Sequence, residues 1–196
     1  MPFICDLHLG EAVNKIHDDL PGLENRCSKQ YPRVPASGWT YCFLFFCPLH
    51  GHCYGFHLIQ GSEGRKDPFY AIYKYMPKAP KIVFYDFACS LSEYSLNREP
   101  EFFFKTEMFH DVFHGANHKC DFAFHCASIE KKRCFNTACA EQFNRYINKI
   151  KPTGRCLRLN RFVMYMQYMI YLYNVDKTKK CLSENRLLKN RVVSTH

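Results

Sequence analysis

The spacing of apolar residues changes along the chain, and each change marks an element. Residues 40–47 (TYCFLFFC) are short and aromatic, Pro48-Leu49-His50-Gly51-His52 turns the chain, and 53–59 run back; this predicts a β-hairpin. Asp67-Pro68 then opens a helix, with Asp67 as its expected N-cap and Phe69, Ile72, Tyr73 and Met76 as its apolar face, and Pro77 stops it. Lys81-Ile82-Val83-Phe84-Tyr85 leaves a proline-rich turn as a β-branched run, which predicts a buried strand. Behind it Leu91, Tyr94 and Ser95 recur at three and four, so Asp86 stands where a strand ends and a helix begins. There it either caps the helix or lies at a ligand-binding strand edge. The hairpin and residues 82–85 are expected in one sheet, with the helix 67–76 packed on it.

Two further helical stripes follow. Phe143, Tyr146, Ile147 and Ile150 form one face of 137–150, with Glu141 away from it; Phe162, Met166, Met169, Ile170 and Tyr173 form one face of 160–173. The resulting division is a lead-in segment (1–38), one α/β domain (39–175) and a basic flexible tail (176–196).

Composition narrows the function classes. Of 196 residues 47% are hydrophobic, enough for a sizeable core. The net charge of +9 permits a polyanion partner but does not by itself require one. No stretch reads as a membrane span; residues 162–175 come nearest but are too short and carry Gln167 and Asn174. Twelve cysteines would suggest a disulfide scaffold in a secreted chain. Residues 1–9, with Asp6 and His8, lack the pattern of a secretory leader, so the expectation is an intracellular protein with reduced thiols.

Some of those thiols stand beside histidines. His114, His118 and Cys120 are spaced by four and two, which a helical turn would bring together as zinc ligands. A fourth ligand would come from Cys126, Cys134 or the pair Cys47 and His50; the plainer alternative is packed histidines and buried thiols. Cys5, Cys42, Cys53, Cys89 and Cys156 lie in apolar patterns and are expected as small core residues. Cys89 as a nucleophile lacks an orienting group in a recognisable frame.

Five elements occur in a fixed order: Cys47-x-x-His50, Gly61-x-Glu63-x-Arg65-x-Asp67, Tyr85-Asp86-Phe87-Ala88-Cys89, Phe113-His114-x-x-x-His118-x-Cys120 and Glu141-Gln142-x-Asn144. Over residues 27–174 this order resembles the catalytic core of the Kyakuja–Dileera–Zisupton superfamily of DDE transposases, and of their domesticated animal relatives. The resemblance implies an RNase H-like α/β fold, a mixed sheet with flanking helices, in a truncated or degenerate form. It implies Asp86 and Glu141 as the second and last acids, brought face to face around Mg²⁺ or Mn²⁺, which suits oxygen ligands. It also places the loop of Arg65 near that site, within reach of a phosphate. The basic run Lys131-Lys132-Arg133 suits a nucleic-acid backbone, although solvated loop charge is its plainer reading.

The first acid of the pattern has no counterpart: residues 40–47 hold no carboxylate, and Asp6 is the one upstream candidate in a strand-like setting. The expectation is therefore a transposase-derived domain that binds nucleic acid or protein without cutting DNA. An active two-metal transposase or nuclease is the alternative, and a zinc-stabilised interaction domain is the third reading.

Overall fold

The computed structural model describes residues 39–60, 64–112, 115, 118–129, 135–148, 153–154 and 156–193. Among them it is a mixed α/β structure with five α-helices and two small sheets. Strands β1 (Trp39–Phe46) and β2 (Cys53–Gln60) pair as the expected hairpin. Helix α1 (Lys66–Tyr75) precedes β3 (Ile82–Phe84); α2 (Ala88–Arg98) and α3 (Pro100–Phe103) lead to β4 (Glu107–Phe109). Helices α4 (Cys139–Ile147) and α5 (Leu159–Val193) complete the described chain. The chain divides into two compact units, one holding Cys42–Phe56 with the chain from Arg133 onward, the other holding His57–Lys132.

In the first unit the hairpin tip is tied by Gly51, whose φ of +73° suits a residue without a Cβ. Its N–H donates to the Cys47 carbonyl at 2.8 Å, and the Cys47 N–H donates to the His52 carbonyl at 2.9 Å. Of the expected stripes, Phe143 and Ile147 of α4 and Met166, Ile170 and Tyr173 of α5 are buried, joined by Val163, whereas Tyr146 is exposed and Phe162 and Met169 are half-buried. Phe46, Phe143 and Tyr173 form an aromatic cluster with ring centroids 5.0–6.3 Å apart.

Asn174 completes strand β2 as another strand would. The Cys53 N–H donates to Asn174 Oδ1 at 2.9 Å, and Asn174 Nδ2 donates to the Cys53 carbonyl at 2.6 Å. Cys53 is 1% exposed, so neither backbone group has water to fall back on. Asn174→Ala is therefore expected to destabilise by about 1–3 kcal/mol, the cost of orphaning buried polar groups. Urea unfolding measures this, and a midpoint equal to wild type would show that the amide bridge contributes nothing.

In the second unit β3 and β4 pair in parallel, Ile82 opposite Glu107, Val83 opposite Met108 and Phe84 opposite Phe109. Parallel neighbours require a crossover, supplied here by α2 and α3. Ile72, Ala88, Leu91, Phe103 and Met108 form the core of this unit, with Phe69, Val83 and Tyr85 packed against it. Helix α1 thus shares a core with the β3–β4 sheet, and α2 buries Leu91 and Ser95 as the three-and-four spacing required.

Several expectations change. Among the described residues the hairpin and β3 belong to separate two-stranded sheets, not one. The partner of β3 is β4, whose three residues are too few to show a period. Helix α1 starts at Lys66 with Arg65 at its N-cap position. Asp67 lies inside the first turn and reaches back, its Oδ2 accepting the Gly64 N–H at 3.1 Å, so the carboxylate still satisfies an N-terminal donor. The basic stretch after Asp176, expected as a loose tail, continues α5 to Val193. It holds no Pro or Gly and is rich in Lys, Leu, Arg and Asn, and its Lys, Leu and Arg are good helix formers. No helix among the described residues is long and apolar enough to cross a membrane.

Candidate metal centre

The centre grows out of the carboxyl end of the parallel pair. Past β3 the Tyr85 N–H still donates to the Phe109 carbonyl at 2.9 Å. The chain then passes Asp86 and Phe87 and enters α2 at Ala88, which places Cys89 in the first turn. Free N–H groups of a helix start favour negative charge, as a thiolate ligand carries. Past β4 comes His110, fully buried, whose N–H donates to the Phe124 carbonyl at 2.7 Å. His118 and Cys120 follow on the return of the chain. Asp121 orders that return: its Oδ1 accepts the Ala123 N–H at 2.7 Å and closes the 3₁₀ turn Phe122–Phe124.

One ligand atom each from Cys89, His110, His118 and Cys120 lies within 4.8 Å of every other, so these four side chains could hold a metal ion. His110 Nε2 is 3.2 Å from Cys120 Sγ, and Cys89 Sγ is 3.8 Å from His118 Nδ1. Ligands at zinc bond lengths on a tetrahedron stand on the order of 3.3–3.8 Å apart, so both separations fit such a site nearly unchanged. The two imidazoles lie 3.8 Å apart between centroids at 31°, and two imidazolium charges that close would repel.

The tautomer of His110 is fixed by its surroundings. Its Nδ1 lies 2.8 Å from the Asp86 backbone carbonyl, which can only accept, so Nδ1 carries the proton and Nε2 presents a lone pair. Burial lowers the His110 pKa, against a smaller raising effect of that hydrogen bond, and favours the neutral ring that a metal requires. The backbone at the end of β3 thus aims a ligand carried at the end of β4.

Of the expected zinc ligands, His118 and Cys120 join the centre. His114 and Cys134 lie outside the described residues. Cys126 is buried but not in the four-residue group, and Cys47 and His50 belong to the first unit, where His50 Nδ1 lies 2.7 Å from His52 Nδ1. The residues missed are His110 and Cys89. Cys89, expected as core, is half-buried and in the ligand group; Cys156, also expected as core, is exposed in the turn before α5. Cys53 is buried and Cys42 half-buried, and burial pushes their pKa values up to about 12 and about 11. The nine described cysteines are all free thiols.

The N-cap position of α2, which the sequence offered to Asp86, is held by Phe87. Asp86 is half-buried in the second unit, whereas Glu141 is exposed in the first turn of α4 in the first unit. Arg65 is half-buried beside α1; Lys131, Lys132, Arg133, Glu63 and Asp6 lie outside the described residues. No family model, no curated protein and no solved structure matches this chain.

Proposed function

We propose that this protein is a zinc-organised α/β domain that binds nucleic acid without cutting it, derived from an RNase H-like transposase core. The observation that carries this reading is the convergence of Cys89, His110, His118 and Cys120 at the end of one parallel βαβ unit. Two thiolates and two imidazoles suit tetrahedral zinc, and four protein ligands leave no open position for a reacting water, so the ion would be structural. The net charge of +9 supports a polyanionic partner, and the resemblance to transposase cores supports DNA and a nuclear location. A protein partner is the competing outcome. The test is equilibrium binding of labelled duplex DNA over a salt series. Binding that weakens steeply with salt is expected, and none at low salt would sink the reading.

A second reading, an active two-metal nuclease, draws on one observation. Asp86 follows β3 and Asp111 follows β4 at the same step past the strand ends, on the edge where parallel sheets bind ligands. Because the first acid of the transposase pattern has no recognisable counterpart, incubation of labelled duplex with Mn²⁺ is expected to give no cleavage above background. Cleavage that disappears in both Asp86→Ala and Glu141→Ala would replace the binding function with the enzymatic one.

A further inference from the structure

We propose that Arg65 and Arg98, ordered on the ring of Tyr94, form a clamp for a backbone phosphate of nucleic acid. The inference rests on the nucleic-acid reading above and names its contact point. Ser90, Tyr94 and Arg98 follow one another at four-residue steps and therefore share one face of α2. The Arg98 guanidinium carbon lies 3.5 Å from the Tyr94 ring centroid, so the planar group stacks on the ring. The Arg65 guanidinium carbon lies 5.9 Å from the same centroid, and Arg65 Nη1 donates to Ser90 Oγ at 3.2 Å. Two cations are thus gathered on one aromatic side chain by contacts that use little of their hydrogen-bonding capacity.

Like charges do not gather without cause, and among the described residues neither guanidinium has a carboxylate within ion-pair distance. The acid next to Arg98 in sequence, Glu99, acts on Tyr73 instead, raising the pKa of its hydroxyl. The platform is fixed as well: Tyr94 meets Phe69 edge to face at 5.4 Å, and Phe69 packs against the core of the second unit. A guanidinium stacked on a ring lies parallel to it and still presents N–H donors along its edge, which suits the oxygens of a phosphate. Arg98 is exposed at the end of α2 and Lys66 is exposed beside Arg65, so the patch is an open basic surface. An open patch suits a repeating phosphate chain better than a phosphopeptide, whose recognition also needs pockets for neighbouring side chains.

Fluorescence anisotropy of labelled duplex and single-stranded DNA over a salt series tests the clamp. Wild type is compared with Arg65→Gln, Arg98→Gln, and the charge-matched Arg145→Gln on the exposed side of α4. Each clamp variant is expected to weaken binding about three- to tenfold at low salt, whatever the base sequence, and to lower the salt slope by about one. Arg145→Gln should do much less, and unchanged far-UV circular dichroism will show that Arg98→Gln, at an exposed helix position, still folds. Wild-type binding with clamp variants indistinguishable from Arg145→Gln would overturn the clamp and leave the nucleic-acid reading intact. No wild-type binding at low salt would overturn both. Tighter binding of a phosphoserine peptide than of DNA, lost in Arg98→Gln, would overturn the choice of partner.

Discussion

Purified protein will carry about one equivalent of zinc, and His110→Ala will lose the zinc and the ordered end of the β3–β4 unit together. His110 is fully buried, bonded through its ring to the Asp86 carbonyl and through its N–H to the Phe124 carbonyl. Removing the imidazole leaves three ligands, a buried space and an unpaired carbonyl. Structural zinc contributes its binding energy to folding, an apparent 10–16 kcal/mol or so in zinc-finger peptides, and a domain held this way unfolds when the ion is removed. A chelator should therefore lower the melting temperature of wild type and leave His110→Ala unchanged. Cys89→Ser should behave like His110→Ala, because a serine hydroxyl is a poor zinc ligand. Cys126→Ala should keep its zinc, since Cys126 is buried outside the ligand group. Atomic absorption gives the stoichiometry, and hydrogen exchange of α2 and β4 gives the local stability. Less than about half an equivalent of zinc in a folded sample, or a His110→Ala variant that keeps its ion, would remove the metal from the proposal.

The sequence disclosed half of this centre because half of it is local. His118 and Cys120 stand two residues apart, a spacing that can be read without knowing the fold. Cys89 and His110 are brought together by the crossover through α2 and α3, and no local spacing records that return. A signal was present in the alignment of β3 with the unrecognised β4. Had the three residues of β4 been identified, Asp86 and His110 would have been expected at one sheet edge, with Cys89 a turn away. Three residues are too few for a period, and two of them, Met108 and Phe109, suit helix and strand alike. The same limit put the hairpin and β3 into one expected sheet.

Strongly periodic elements were legible. The hairpin, α1, α2, α4 and the first half of α5 all form where apolar spacing placed them, and most of each stripe turns inward, Tyr73 of α1 and Tyr146 of α4 being exposed. The continuation of α5 was hidden because its residues favour a helix by propensity without an apolar stripe to announce it. The acids behave differently again. Asp86 was legible as a strand-end residue, and its backbone carbonyl ties it to the candidate site through His110.

Phe143→Ala will cost the first unit about 3–5 kcal/mol, the usual range for emptying a fully buried aromatic site. Phe143 is 0% exposed and stands between the hairpin and α5, its ring 5.8 Å from that of Phe46 and 5.0 Å from that of Tyr173. The Phe46 pair is tilted at 59°, and the Tyr173 pair, at 83°, has the edge-to-face geometry in which the positive rim of one ring meets the negative face of another. Alanine removes the transfer energy of the ring and leaves a cavity that two other aromatic rings cannot easily fill, since their backbones are held by β1 and by α5. Phe143→Leu keeps most of the volume and should cost clearly less, about 1–1.5 kcal/mol, mainly for the lost ring contacts. Tyr146→Ala, one step off the buried stripe and 36% exposed, should cost less than Phe143→Ala although it removes a larger side chain. Urea unfolding of the three variants, followed by aromatic circular dichroism, ranks them. If Tyr146→Ala proves the most damaging, the helix α4 presents a different face to β1 and α5, and the inward stripe of Phe143 and Ile147 is wrong.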